Sequence, residues 1–284
     1  MRSGDGADAV KIAVAATGPF GAGVLEGLAE RHEVEVLLTR PDRRQGRGRR
    51  LGAPPAKQTA ERLGIPVEQP ERIEAAPGTA PIVIVCAFGV LIPERLLDER
   101  FWLNVHPSLL PRWRGPAPVE RAIMAGDHET GVTIHRTTAQ LDAGPIAAQE
   151  LFRIGAEEDA GAVYERAGEV AVRLLNGLLA RPEEIELAPQ SEEGATYAER
   201  IAADDRLLDL SRPARQIVDR VRALSPHIGA RAIVDGRPLT VWRARPVAPD
   251  SVFIVGDVEL VEVQPEGRRR MTGAEYLRGL RGSG

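Results

Sequence analysis

The chain reads as an α/β protein: a doubly wound, mainly parallel sheet followed by a small β-rich, barrel-like C-terminal domain. Three observations predict this. Short apolar runs alternate with amphipathic stretches through the first part of the chain. The pattern then breaks into polar, turn-rich sequence over residues 188–209. Beyond it come short strand candidates separated by turns such as Asp235-Gly236 and Gly256-Asp257.

Residues 1–10 are small and polar, with neither a basic start nor an apolar stretch, and are expected to be a disordered tail. Residues 11–15 form an apolar strand candidate, followed by a glycine-bearing turn and a helix over 24–31. A second strand is expected at 34–39 and a helix at 55–63, where Pro55 suits the first helical position because its missing N–H would be unsatisfied there anyway. Residues 82–87 are a continuous β-branched run, as a strand covered on both faces requires. A short helix at 93–97, a strand at 103–105, a helix at 119–125, strands at 131–135 and 146–151 and a long amphipathic helix at 161–179 complete a catalytic-domain candidate spanning 11–187. Residues 188–209 read as a linker. The second domain, 210–284, has a helix at 214–224 and strands at 230–234, 239–243, 251–255 and 259–264. No internal repeat or heptad pattern is present.

The 284 residues are 43% apolar and 27% charged, the balance of a soluble globular protein. No apolar run approaches the roughly 20 residues of a membrane span, so no membrane partner and a cytoplasmic location are expected. The single cysteine, Cys86, excludes an internal disulfide, and its apolar run predicts a buried structural thiol. There is no cysteine–histidine cluster, and no metal site is expected. The net charge of −4 excludes a uniformly basic nucleic-acid coat. Only Lys11 and Lys57 are lysine among 37 basic residues, so arginine count alone says little; local clustering still does.

The densest chemistry lies in residues 104–115. Strand alternation puts Asn104 and His106 on one face at a strand's end, followed by a loop carrying proline, tryptophan and glycine. In a parallel sheet, ligands bind beyond the carboxyl ends of strands. A second polar turn, Leu141-Asp142-Ala143-Gly144, follows another strand candidate. An amide can donate to a developing oxyanion, an imidazole can move protons near neutral pH, and a carboxylate can charge or orient that imidazole or hold a water. This set suits acyl transfer to an amine without a covalent intermediate. Each residue also has a plain structural reading: a capping asparagine, a packed histidine, a turn aspartate. His32, His128, His135 and His227 take the structural reading, and Ser108 that of a loop-stabilising hydroxyl without a base beside it.

Taken as a set, these segments resemble the folate-dependent formyltransferases. The similar residues are Asn104, His106, the Ser108-Leu109-Leu110-Pro111 run with Trp113-Arg114-Gly115, Ala117-Pro118, the 123–134 stretch and the Leu141–Gly144 turn. The resemblance implies a formyltransferase-like fold and catalytic roles for Asn104, His106 and Asp142. It implies 10-formyltetrahydrofolate as co-substrate, with no metal. The implied folate-binding residues are Phe88, Gly89, Leu91, Ser108, Leu109, Leu110, Pro111, Leu141 and Gly144. In the implied reaction a neutral amine attacks the formyl carbon directly. Asn104, and His106 once protonated, would stabilise the oxyanion, while Asp142 raises the histidine's pKa or positions a water.

Within that family, residues 40–51 resemble the loop of members that formylate methionyl-tRNA. They hold six arginines and one aspartate among mobile glycines, and guanidinium groups grip phosphates well. The resemblance implies initiator methionyl-tRNA as partner of Arg43, Arg44, Arg47, Arg49 and Arg50, with Arg47 foremost. It extends to the C-terminal domain, expected to be OB-like and tRNA-contacting through Arg268, Arg269 and Arg270. Phe20 is expected at a methionine pocket, and the chain to be a monomer. Two alternatives stay open: formylation of an amino-sugar nucleotide, or a non-catalytic nucleotide- or RNA-binding sensor. The turn Ala16-Thr17-Gly18-Pro19-Phe20 departs from the family's pattern by displacing a proline one place.

Overall fold

The computed structural model describes residues 9–45 and 50–281, with Gln45 and Arg50 as backbone. In chain order, the first elements are β1 (Lys11–Ala16), α1 (Pro19–Ala29), β2 (Glu33–Leu38), β3 (Arg43–Gln45), β4 (Arg50–Gly52), α2 (Pro55–Leu63), β5 (Val67–Glu68), β6 (Ile82–Cys86) and α3 (Glu94–Leu97). Then come β7 (Phe101–His106), α4 (Pro118–Met124), β8 (Glu129–Arg136), β9 (Ile146–Arg153) and α5 (Ala160–Leu179). The remainder is α6 (Ala214–Leu224), β10 (Ala230–Val234), β11 (Arg237–Pro246), β12 (Ile254–Val255), β13 (Val258–Pro265), β14 (Met271–Thr272) and α7 (Gly273–Arg281).

The chain packs as two compact units that interleave along the sequence. The first takes the described part of Met1–Pro116 with Gly131–Leu151 and Tyr164–Tyr197. The second takes Ala117–Thr130, Phe152–Val163 and the described part of Ala198–Gly284. The boundary between Tyr197 and Ala198 falls inside the expected 188–209 linker, and α4 packs in the second unit.

The first unit is built on a seven-stranded sheet of order β5-β2-β1-β6-β7-β8-β9. Strands β5, β2, β1, β6 and β7 run parallel to their neighbours, and β8 turns antiparallel to β7. The β-branched run of β6 is buried along its whole length, as a strand covered on both faces must be. One face of the sheet, with Ala13, Ala15, Val36, Leu38, Val83, Val85 and Trp102, packs against Leu96. Trp102 is fully buried, and its indole N–H is satisfied by the Leu96 carbonyl at 2.7 Å. Cys86 is buried, and desolvation pushes its thiol far up from the ordinary value, which fits the structural reading.

Helix α1 begins at Pro19, earlier than the 24–31 expectation. Gly18 is its extended N-cap and Pro19 takes the first turn, so the displaced proline falls where a missing N–H costs nothing. At the two ends of the expected 40–51 loop, β3 and β4 pair antiparallel, and residues 46–49 between them, with both glycines of the loop, lie outside the described residues. The base of this pair is pinned by Asp42, which accepts from Lys57 at 2.8 Å and from Gln69 at 2.8 Å.

The second unit contains a five-stranded antiparallel sheet, β10-β11-β13-β12 with β14 on β13, a curled half-barrel that matches the barrel-like expectation. Ile217, Val221 and Leu224, spaced along one face of α6, bury into a core with Val241, Leu260 and Val263. Helix α7, which periodicity did not predict, carries a reciprocal cap. Glu275 N donates to Thr272 Oγ1 at 3.2 Å, and Thr272 N donates to Glu275 Oε2 at 2.8 Å.

Candidate active site

Three side chains meet at the end of β7 and the turn after β8. Asp142 Oδ1 lies 3.3 Å from Asn104 Nδ2, and Asp142 Oδ2 lies 3.6 Å from His106 Nδ1. Parallel strand ends position the first two, and the 137–145 turn returns the third. His106 and Asp142 are buried, while Asn104 is half-buried.

His106 is oriented from behind. Its Nε2–H donates to the Trp113 carbonyl at 2.8 Å, which leaves Nδ1 as the nitrogen facing Asp142. Burial pushes the imidazole below its ordinary 6.5, outweighing the opposite pull of the Asp142 carboxylate. This shift favours the neutral imidazole at neutral pH. Burial also pushes the Asp142 carboxyl up, but in the acid range where it titrates the protonated His135 and His106 rings beside it, with the Gly115 amide, more than offset this and hold it below 3.8. The Gly115 N–H donates to Asp142 Oδ2 at 2.8 Å.

The backbone is strained on both sides of the pair. Trp113 (φ +62°) and Asp142 (φ +50°) occupy the left-handed region, which costs a non-glycine residue roughly 1–2 kcal/mol. Gly144 must be glycine, because a Cβ there would sit 1.8 Å from the Arg136 carbonyl oxygen.

His135 was given a structural reading, and the structure corrects it: this residue belongs to the cluster. Its Nδ1 donates to the Arg136 carbonyl at 3.0 Å, so its Nε2 accepts from Asn104 Nδ2 at 3.0 Å. It also lies 3.6 Å from Asp142 Oδ1. Its place follows from the antiparallel register that sets Asn104 opposite His135, which alternation within one strand cannot reveal. Both Asn104 Nδ2 hydrogens are thus engaged inside the cluster. Flipping the amide would set its oxygen against a carboxylate and a ring acceptor.

The other expected site residues are spread over several settings. Leu91 and Leu141 remain 80% and 65% exposed on their loops, and Gly89 is exposed, whereas Phe88 is buried. Leu109 and Pro111 are half-buried, and Leu110 is buried. Ser108 has no exposed surface and donates its hydroxyl to the Arg112 carbonyl at 2.7 Å. That arrangement supports the loop-stabilising reading and removes Ser108 from a folate-lining set in this conformation. Phe20 packs on Tyr164, ring centroids 5.5 Å apart.

Arg43 and Arg44 are exposed on β3, Arg50 lies on β4, and Arg47 and Arg49 lie outside the described residues. Arg268 and Arg269 are exposed, but Arg270 is committed within its own unit. Its guanidinium stacks 3.4 Å from the Trp242 ring and donates to the Pro226 carbonyl at 2.8 Å. Among the described residues, no group of three or more histidine, cysteine, aspartate or glutamate side chains could hold a metal ion, and no helix is long and apolar enough to cross a membrane.

Comparison with known proteins gives the family. The formyl transferase family model matches residues 10–178, and that of the formyl transferase C-terminal domain matches residues 200–252. The methionyl-tRNA formyltransferase of Paracoccus denitrificans (strain Pd 1222) is 38% identical over 291 residues, covering 95% of this chain and 98% of its own. That of Halorhodospira halophila (strain DSM 244 / SL1) is 40% identical over 303 residues, covering 96% and 97%. Among solved structures, the N-formyltransferase from Helicobacter canadensis in complex with folinic acid and dTDP-3-aminofucose matches with a TM-score of 0.67 at 16% identity, over 93% of this chain and 98% of its own. HypX from Aquifex aeolicus in complex with tetrahydrofolic acid matches with a TM-score of 0.65 at 20% identity over 95% of this chain, which spans 46% of HypX. At such identities the structural likeness is one of fold. The chain belongs to the formyl transferase family. Its full-length relatives at 38–40% identity place it among the methionyl-tRNA formyltransferases.

Proposed function

We propose that this chain transfers a formyl group from 10-formyltetrahydrofolate to the amino group of methionine on initiator tRNA, for translation initiation. The observation that carries the chemistry is the convergence of Asn104 and His106 on Asp142, each within hydrogen-bond or near hydrogen-bond reach of its carboxylate. The folate would lie against exposed apolar side chains such as Leu91 and Leu141, which suit a pterin ring's faces.

In the reaction we propose, the methionyl amine attacks the formyl carbon and its nitrogen sheds a proton. His106 Nδ1 takes that proton, directly or through a water, since Nε2 is fixed on the Trp113 carbonyl. The resulting imidazolium sits beside Asp142, whose carboxylate compensates its charge. Asn104 exchanges its long 3.3 Å bond to Asp142 for the developing oxyanion, a small loss against a charge-assisted gain. His106 then returns the proton to the departing folate nitrogen, so proton and formyl group balance. Arg43, Arg44 and the arginines that follow them would hold acceptor-stem phosphates, with Arg268 and Arg269 as further basic contacts.

The test is a formylation assay with purified protein, 10-formyltetrahydrofolate and charged initiator or elongator methionyl-tRNA. Turnover with the initiator form is expected. Turnover confined to a nucleotide-linked amino sugar would overturn the reading.

A further inference from the structure

One short stretch of chain grips both loops of the candidate site. Ala188 exchanges backbone hydrogen bonds with Ile146, at 2.7 and 2.9 Å. Gln190 Nε2 then donates to the carbonyls of Asp142 at 2.9 Å and Gly144 at 2.6 Å. The same side chain's Oε1 accepts from Arg114 Nε at 3.2 Å and Nη2 at 3.0 Å. Arg114 is almost wholly buried, and its Nη1 and Nη2 also reach Glu192, at 3.1 and 3.0 Å. Farther along, Thr196 takes the backbone N–H of Trp113 on Oγ1 at 2.9 Å and that of Arg114 on its carbonyl at 2.9 Å. Trp113 supplies the carbonyl that orients His106.

Only a primary amide meets these demands at position 190. Two carbonyls need donors on one side, and a guanidinium needs an acceptor on the other. A glutamate would aim an anion at two carbonyl oxygens, and an arginine would face another arginine. The amide's orientation is fixed as well, because a flip would oppose oxygen to oxygen and N–H to N–H. The grip falls on the turn that holds Asp142 at φ +50°, a conformation a free turn would leave.

We infer that Gln190 is a positioning residue for formyl transfer: it holds Asp142 against His106, and Arg114 links that hold to the loop that orients the imidazole. The inference rests on the reading of Asp142 and His106 as the reacting pair. Gln190 itself touches no reacting atom.

The test uses the full chain as wild type, Q190E and Q190A. Q190E keeps the acceptor for Arg114 and loses both donors to the Asp142 turn, while Q190A loses both halves. Both are expected to lower kcat about 10- to 100-fold, the scale of a displacement near 1 Å at a reacting centre. KM for methionyl-tRNA is expected to stay within about twofold, since uniform binding is untouched. The discriminating readout is the His106 imidazole titration, followed by NMR without substrate. It should move to lower pH in both variants as the carboxylate drifts from Nδ1. An unmoved titration in Q190E overturns the inference, as does wild-type kcat, and a rate loss that merely tracks a loss of folded protein does the same. The titration needs no turnover, so it judges Gln190 even if the wild-type chain fails to formylate methionyl-tRNA, a result that would instead overturn the proposed function.

Discussion

Replacing Asp142 by asparagine separates the charge of this side chain from its shape. The carboxylate faces His106 Nδ1 at 3.6 Å in a buried setting. Two opposite unit charges near 4 Å, at the effective dielectric of about 20 that suits protein sites, attract by about 4 kcal/mol. In the proposed mechanism that attraction exists only while His106 carries the proton, so its loss falls on the barrier and not on substrate binding. Since each 1.36 kcal/mol is a factor of about ten, D142N should lower kcat by about 10³-fold with little change in KM. The structural penalty is smaller. The asparagine keeps one acceptor, so either the Gly115 N–H or the Asn104 amide meets a donor in place of an oxygen. An orphaned buried donor costs about 1–3 kcal/mol of stability, which thermal unfolding would register alongside a steady-state formylation assay. If folded D142N kept more than about a tenth of wild-type kcat, a loss below the 1.36 kcal/mol of one tenfold step, no charged intermediate on His106 would need that carboxylate and the assignment would fail.

Three further outcomes follow from the same geometry. G144A places a methyl 1.8 Å from the Arg136 carbonyl, so the turn must shift; kcat should fall roughly 10²-fold while circular dichroism stays unchanged. His106, held below 6.5 by burial, is neutral when folded and more protonated when unfolded. Its contribution to stability is therefore complete above pH 6.5 and declines as pH falls below it. Asp142, held below 3.8, keeps its contribution above that value and loses it only as pH falls through the folded pKa. Urea unfolding at pH 7.5 and 5.5 should show a smaller acid loss in H106Q than in wild type. Finally, R43A/R44A removes two exposed cations from β3. It should raise KM for methionyl-tRNA but not for folate, and flatten the plot of log KM against log salt by a slope of roughly 2.

How much of this was legible in the sequence depended on whether the cause was local. Helices α2 and α6 and strand β10 match their expected spans because apolar period, caps and turns all lie within those segments. Helix α7 was legible in principle. Its Thr272-x-x-Glu275 cap is a sequence signature, outweighed by the basic, glycine-bearing run around it. The pairing of β3 with β4 was hidden for the same reason: a strand of arginines shows no apolar alternation. Asn104 and His106 could be placed together by strand period alone. Asp142, by contrast, could be named only as a polar turn residue after a strand candidate, because nothing in a Leu-Asp-Ala-Gly turn states how far it lies from an imidazole 36 residues earlier.

Residues 188–196 show the limit most sharply. They read as a linker because polar sequence without period carries no sign of what it is bonded to. Yet Gln190 reaches back 48 residues to Asp142 and 76 to Arg114. Side-chain amides that satisfy backbone carbonyls leave no pattern in their own neighbourhood. They become visible only when the strained turn they hold has been found. A left-handed aspartate in a buried site has to be held by something. Asking which donors satisfy its carbonyl leads to Gln190 and, through Arg114 and Thr196, to the loop that orients His106. If that chain of donors is what keeps the pair in register, substitutions along it should change the rate more than the binding of either substrate.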